Sequence, residues 1–271
     1  MLAIIAGRGR LPALLAAERP QALVCVISGG APEIGGRGAD MTFRIERLMP
    51  FIAELKAAGV REVCFAGAAT RPALDPAAFD PETAALAPRF AQAMRAGDDG
   101  TLKFVLNLFA ENGFAIRAAH EILPGLLPGA GVHGAVSPDA GARTDADRAA
   151  QVIAALGAAD VGQGCVVQQG QVLAVEALPG TDWMLARLAD APFAARPDPS
   201  AGRGLFFKAP KPGQDRRIDL PVIGCGTVAA VKAAGLGGIV IDAGGVMVLD
   251  MPRVVSACDA AGLFLWVRGR G

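Results

Sequence analysis

The opening of the chain allows little besides a strand, a tight turn, a helix and a second strand. Leu2 to Ala6 is an apolar run of buried-strand length, and Gly7-Arg8-Gly9-Arg10 breaks it. Pro12 then falls where a proline suits the first turn of a helix, and Ala22 to Ile27 returns as a second apolar run. Two parallel strands need a crossover of this kind, so the segment predicts a βαβ unit and an α/β layer.

The alternation continues. Arg47 to Ala58 carries Leu48, Ile52 and Leu55 on one face with Gly59 as its stop, which predicts a helix. Glu62 to Ala66 predicts the next strand, ending at Gly67. A Pro-rich surface stretch follows, then a helix through Phe90 to Met94 and another near Thr101 to Glu111. Between Leu123 and Arg143, Gly and Pro crowd together, as in Pro124-Gly125, Pro128-Gly129 and Ser137-Pro138. Such a stretch is either a domain boundary or a long internal loop.

Beyond it, Asp145 to Leu156 predicts a helix, and Cys165 to Gln168 with Val172 to Glu176 predicts a hairpin turning at Gln169-Gly170. Thr227 to Ala234 reads as a helix, Gly238 to Asp242 and Val246 to Leu249 as strands. Pro252 to Ala261 reads as the closing helix before a final strand from Leu263 to Val267. With 271 residues, against roughly 150 per domain, the pattern predicts two α/β domains, residues 1–130 and 131–271, the first of them Rossmann-like.

Charge and composition remove several classes. Basic and acidic residues balance at 26 each, so the cationic excess that a nucleic-acid partner requires is missing. Gly and Pro, 35 and 19 residues, are together about a fifth of a chain that is 52% hydrophobic, which is globular rather than low-complexity. No apolar run approaches the ~18–20 residues that span a bilayer, and Met1 to Gly7 has no basic region or cleavage site of a secretory signal. Cys25, Cys64, Cys165, Cys225 and Cys258 form no C-x-x-C pair and sit in apolar segments, which predicts buried thiols in a reducing compartment. The expected address is the cytoplasm.

Four places carry candidate chemistry. The Gly7-x-Gly9 turn is expected to offer free backbone N–H groups beside a helix start, suited to a phosphate or a sugar hydroxyl. It lacks the third glycine of the dinucleotide fingerprint, and an ordinary tight βα turn explains it equally. Asp98 and Asp99, between Gly97 and Gly100, read either as an N-cap and a first-turn charge or as Mg²⁺ or ribose ligands. Thr181 and Asp182, downstream of Glu176, read either as a helix cap or as part of a binding site. The densest polar cluster runs from Lys208 through Lys211, Gln214, Asp215, Arg216, Arg217 and Asp219 to Pro221. Cations there could neutralise a phosphoryl group while carboxylates hold a hard metal or orient water; a solvated surface loop is the alternative.

Taken together, the residues resemble a known family. Ala6-Gly-Arg-Gly-Arg-Leu-Pro12 is similar to the amino-terminal signature of the LpxI family, UDP-2,3-diacylglucosamine pyrophosphatases of lipid A biosynthesis. The resemblance continues through Cys64-Phe-Ala-Gly67, Arg71-Pro72, Gly97-Asp-Asp99, Ala119-His-Glu121, Val136-Ser-Pro138 and Asp160-Val-Gly-Gln163. It runs on through Leu173-Ala-Val-Glu176, Gly180-Thr-Asp182, Lys208-Ala-Pro-Lys211 and the stretch from Gln214 to Gly224. The blocks keep the family's order over nearly the whole chain; Arg8 stands where the family more often has glycine.

The resemblance implies a Mg²⁺-dependent hydrolase that cleaves UDP-2,3-diacylglucosamine to UMP and 2,3-diacylglucosamine 1-phosphate. It implies two hinged domains with the substrate in an interdomain cleft, and an essential aspartate in the D-L-P block, here Asp219. Lys208 and Arg217 would act with Asp219 in catalysis. Gly7, Gly9, Leu11, Asp98, Asp99, Thr181, Asp182, Lys211 and Gln214 would bind substrate, and Asp219 and Asp215 would hold the metal. With only two histidines in the chain, the metal should be bound by oxygen ligands. A peripheral contact with the inner membrane surface and a homodimer are compatible with this reading. The alternatives are a non-catalytic nucleotide-sugar or lipid carrier and a dinucleotide-dependent oxidoreductase.

Overall fold

The structure, a computed structural model, describes the chain except residues 31, 33, 69–73, 96, 191–195, 212–214, 219, 270 and 271 and the side chains of 97–99. It divides into two compact units, one of Met1–Pro124 with Asp215–Ile218, the other of Gly125–Gln214 with Asp219–Gly271.

The first unit is built on β1 (Leu2–Ala6), α1 (Leu11–Glu18), β2 (Leu23–Ile27), β3 (Met41–Phe43), α2 (Leu48–Ala57) and β4 (Glu62–Ala66). It continues with α3 (Pro81–Ala84), α4 (Ala87–Arg95), α5 (Gly97–Glu111), β5 (Ala115–Ile116) and α6 (Ala119–Ile122). Its five strands are ordered β3-β2-β1-β4-β5, and every pairing is parallel. This is a doubly wound sheet whose strand order reverses at β1 and β4, the arrangement of nucleotide-binding folds. Ala3, Ile5, Cys25 and Val63 face Phe51, Ile52 and Leu55 of α2 and Leu108 and Phe109 of α5. Helices α1 and α6 lie against β1 and β4. Both faces are covered, which is why the strands read as unbroken apolar runs rather than alternating ones. The stop at Gly59 is a left-handed residue (φ +78°) whose N–H bonds Lys56 O, while Val60 N–H bonds Leu55 O and leads into β4.

The second unit holds β6 (Gly131–His133), α7 (Ala140–Ala158), β7 (Gly164–Gln168), β8 (Gln171–Val175), α8 (Gly180–Asp190) and β9 (Leu205–Lys208). It closes with β10 (Val222–Ile223), α9 (Cys225–Ala233), β11 (Gly238–Asp242), β12 (Met247–Val248), α10 (Met251–Ala261) and β13 (Phe264–Arg268). Six strands are ordered β6-β13-β11-β9-β7-β8, parallel among β13, β11 and β9 and antiparallel at the flanks. Phe206 turns to α8, α9 and α10, whereas Leu205 and Phe207 turn to Ala146, Ala149 and Ile153 of α7. One strand thus supplies both cores of a three-layer unit. The two domains are α/β, as the alternation predicted.

Two expectations need correction. The Gly/Pro-rich stretch is not all linker, since residues 131–133 pair with β13 and Asp139 caps α7, its carboxylate accepting from Ala142 N–H at 2.7 Å. The strand predicted near Val248 is present as β12, which pairs in parallel with β10 in a two-stranded ladder of its own. Helix α5 begins at Gly97, so Asp98 and Asp99 stand within its first turn and neither precedes it as a cap; their side chains lie outside the described residues.

The cysteines behave as predicted. Cys25, Cys64, Cys165 and Cys258 are buried and Cys225 is half-buried. Burial pushes the thiols of Cys25, Cys64 and Cys165 up to about 12 and that of Cys258 to about 11. Among the described residues, no helix is long and apolar enough to cross a membrane.

Candidate functional site

In the first unit the candidate turn sits at the carboxyl ends of β1 and β4, where an open α/β sheet with this strand order binds its ligand. Gly7 N–H donates to Ala66 O at 2.7 Å, and Arg8 and Ala68 exchange backbone hydrogen bonds of 2.9 and 3.0 Å. A Cβ on Gly7 would lie 2.5 Å from Ala68 O. The expectation that the Gly7 N–H is free is therefore corrected: Gly7 is glycine because the backbone after β4 runs against it. Gly9 (φ +91°) lies in open space, and Leu11 opens α1 with its side chain buried. What this turn can present to an anion is the amide end of α1, whose first N–H groups have no partner within the helix.

Asp215 and Arg217 group with the first unit. The Asp215 carboxylate accepts from Arg217 Nε at 3.0 Å and from its terminal nitrogen at 2.6 Å, and from the Arg217 N–H at 3.0 Å. The guanidinium hydrogen bond holds the Asp215 carboxyl below its ordinary value, helped by the charge of Lys103 on α5. A carboxylate closed by a forked guanidinium in this way does not fit a metal ligand. Among the described residues, no group of three or more His, Cys, Asp and Glu could hold a metal. Asp219 and Gln214 lie outside the described residues.

The second unit gathers a buried polar cluster at the carboxyl end of β9. Lys208 Nζ lies 2.6 Å from Thr181 Oγ1 and 3.8 Å from Glu176 Oε2, and Thr181 Oγ1 donates to Glu176 Oε2 at 2.8 Å. The Lys208 and Glu176 side chains are only 7% and 11% exposed. Desolvation lowers the Lys208 ammonium from its ordinary value, opposed by the charges of Glu176 and Asp182. Thr181 is within α8, and its hydroxyl links lysine to carboxylate, in the place of the expected cap. Lys211 is bound to Asp160 at 2.6 Å.

The structure thus brings Lys208, Thr181 and Asp182 together, with Lys211 nearby in sequence and ion-paired to Asp160. Glu176 was the residue that sequence patterning noted without assigning a role. Its only signal was an acidic residue ending an otherwise apolar strand.

A doubly wound parallel sheet and a mixed sheet with a buried lysine at the carboxyl end of one strand define a two-domain α/β protein. The LpxI N-terminal domain model matches residues 1–126 and the LpxI C-terminal domain model residues 129–266. The chain is 40% identical over 270 residues to the UDP-2,3-diacylglucosamine pyrophosphatase LpxI of Caulobacter vibrioides, covering 97% of this chain and 96% of that one. The chain belongs to the LpxI family.

Proposed function

We propose that this protein hydrolyses the pyrophosphate bond of UDP-2,3-diacylglucosamine, releasing UMP and 2,3-diacylglucosamine 1-phosphate for lipid A biosynthesis. The observation that carries the reading is the 40% identity, spread over both domains, to a relative named for that activity. Its substrate bears two acyl chains, which brings a cytoplasmic enzyme to the inner membrane surface as a peripheral visitor.

Hydrolysis of a phosphoanhydride needs an aligned water and neutralisation of the charge spread over the phosphoryl oxygens. Asp219 aligns or deprotonates the water in this reading. Lys208, buried beside the carboxylate of Glu176, supplies charge at the diphosphate, where a low dielectric makes it count for more than in water. Arg217, closed on Asp215, supports that pair before it supports substrate. The amide end of α1, with Gly9 and Leu11, takes the nucleotide end.

A Mg²⁺ ion belongs to the reading on the chemistry of the diphosphate. Asp219 is the ligand retained for it, and Asp215 is set aside because Arg217 occupies its carboxylate. When bound, the ion would neutralise phosphate charge; no step here depends on it. Excess EDTA is expected to stop turnover and added Mg²⁺ to restore it, and undiminished turnover in EDTA would remove the metal from the account.

The test of the whole reading is incubation of the purified protein with the lipid nucleotide and Mg²⁺, following UMP. Binding without UMP release would make the protein a carrier.

A further inference from the structure

Glu176 directly follows β8 and Lys208 ends β9, and the two strands are not neighbours, because β7 lies between them. Lys208 is in register with Gly164, and Glu176 N–H donates to the Gly164 carbonyl at 2.8 Å. Two strand spacings, roughly 9–10 Å, therefore separate the two backbones, and the side chains meet over a residue that has none.

The space is used completely. A Cβ on Gly164 would lie 2.5 Å from Glu176 Oε2, and a Cβ on Gly162 would collide with the Glu176 carbonyl oxygen. Two glycines of one short segment thus leave room for a single carboxylate and its backbone. The carboxylate reaches Thr181 Oγ1, and the same hydroxyl accepts from Lys208 Nζ. A buried ammonium without such a partner would sit at high energy or lose its proton.

We propose that Glu176 is a positioning residue for the proposed hydrolysis: through the Thr181 hydroxyl it fixes the Lys208 side chain at the carboxyl end of β9 and keeps it an ammonium able to meet the substrate diphosphate. The inference rests on the reading above for its substrate. Among the described residues, the charged groups facing Lys208 are Glu176, directly after β8, and Asp182 from α8. Removing Glu176 leaves Asp182 and the Thr181 oxygen. That change favours the neutral amine, because desolvation already lowers the lysine and its main opposing charge is gone.

The experiment combines turnover with a direct titration of Lys208. The chain has five lysines, so labelled-lysine NMR resolves them, and Lys208→Arg assigns the signal. In Glu176→Gln the Lys208 ammonium is expected to titrate roughly a pH unit or more lower than in the wild type. The alkaline limb of kcat/KM should move to lower pH with it, and kcat should fall ~10–100-fold, the scale of losing an orienting partner. Thr181→Val should reproduce the lowered lysine midpoint, and Thr181→Ser, which keeps the hydroxyl between Lys208 and Glu176, should return that midpoint toward the wild-type value. This pair decides the matter if Glu176→Gln does not fold.

A wild-type protein that releases UMP while the Glu176 and Thr181→Val variants leave the lysine midpoint and the pH profile unmoved overturns the positioning role alone. A wild-type protein that releases no UMP overturns the reaction, whatever Lys208 does.

Discussion

Gly67 approaches Arg8 so closely that a Cβ on Gly67 would lie 2.5 Å from the Arg8 carbonyl oxygen, and its φ of +89° is one that side chains disfavour. The contact joins the turn after β1 to the chain leaving β4, at the point where the first sheet reverses its strand order. Gly9 shares the left-handed conformation, φ +91°, but nothing lies within 4 Å of where its Cβ would be. Gly9→Ala should therefore cost only the conformational penalty, ~1–2 kcal/mol. Gly67→Ala adds a backbone collision and should cost more, about 2–4 kcal/mol. Chemical denaturation of the two variants checks this; equal losses would mean that the approach of Gly67 to Arg8 does not matter.

A second expectation concerns acid. Glu46, buried in the turn before α2, accepts from Arg44 at 3.1 and 3.3 Å and from Asp75 N–H at 3.0 Å. The Arg44 hydrogen bond, then that of the Asp75 N–H, holds the carboxyl down to about 2 from an ordinary 4.5. Because the folded value lies below the unfolded one, the stabilisation is complete above pH 4.5 and is lost as the pH falls through about 2. Glu46→Gln should be less stable than wild type at neutral pH, with the gap narrowing across that window. Denaturation midpoints from neutral to acid pH measure it, and a gap that stays constant would contradict the assignment.

The contrast between two parts of the chain shows what could be read from the sequence. The βαβ opening and the hairpin at Gln169-Gly170 are local: apolar runs set the strands, and both turn residues adopt positive φ, +50° and +75°. Strands β3 and β5, three and two residues long, are too short to carry a periodic signal and exist only because β2 and β4 offer partners. The Lys208 cluster was equally hidden. Its members are separated by up to 32 residues, and the crossing over Gly164 depends on a strand order that no local pattern encodes. The charged loop showed its composition but not its pairings, so Arg217 looked free for phosphate when Asp215 was its partner.

Asp219→Ala tests the aspartate of the D-L-P block. Pro221 follows closely, which favours an extended backbone before it. Loss of a water-aligning carboxylate should reduce turnover by at least ~10²–10⁴-fold. Lys208 and Lys211 remain in the variant, so binding of the lipid nucleotide and the melting temperature should change little. Turnover, affinity and melting temperature on one preparation separate the outcomes: full activity rejects the role, and a collapsed melting temperature makes Asp219 structural.

The central claim is cleavage between the two phosphorus atoms, and product stoichiometry tests it most directly. Purified protein, UDP-2,3-diacylglucosamine and Mg²⁺ are incubated, and the nucleotide and lipid products are quantified together by mass spectrometry. The account predicts UMP and 2,3-diacylglucosamine 1-phosphate in equal amounts, rising together until substrate is exhausted. UDP with the unphosphorylated sugar would place the cut at the glycosidic bond, and intact substrate recovered bound to the protein would mean no cut at all; either result contradicts the account.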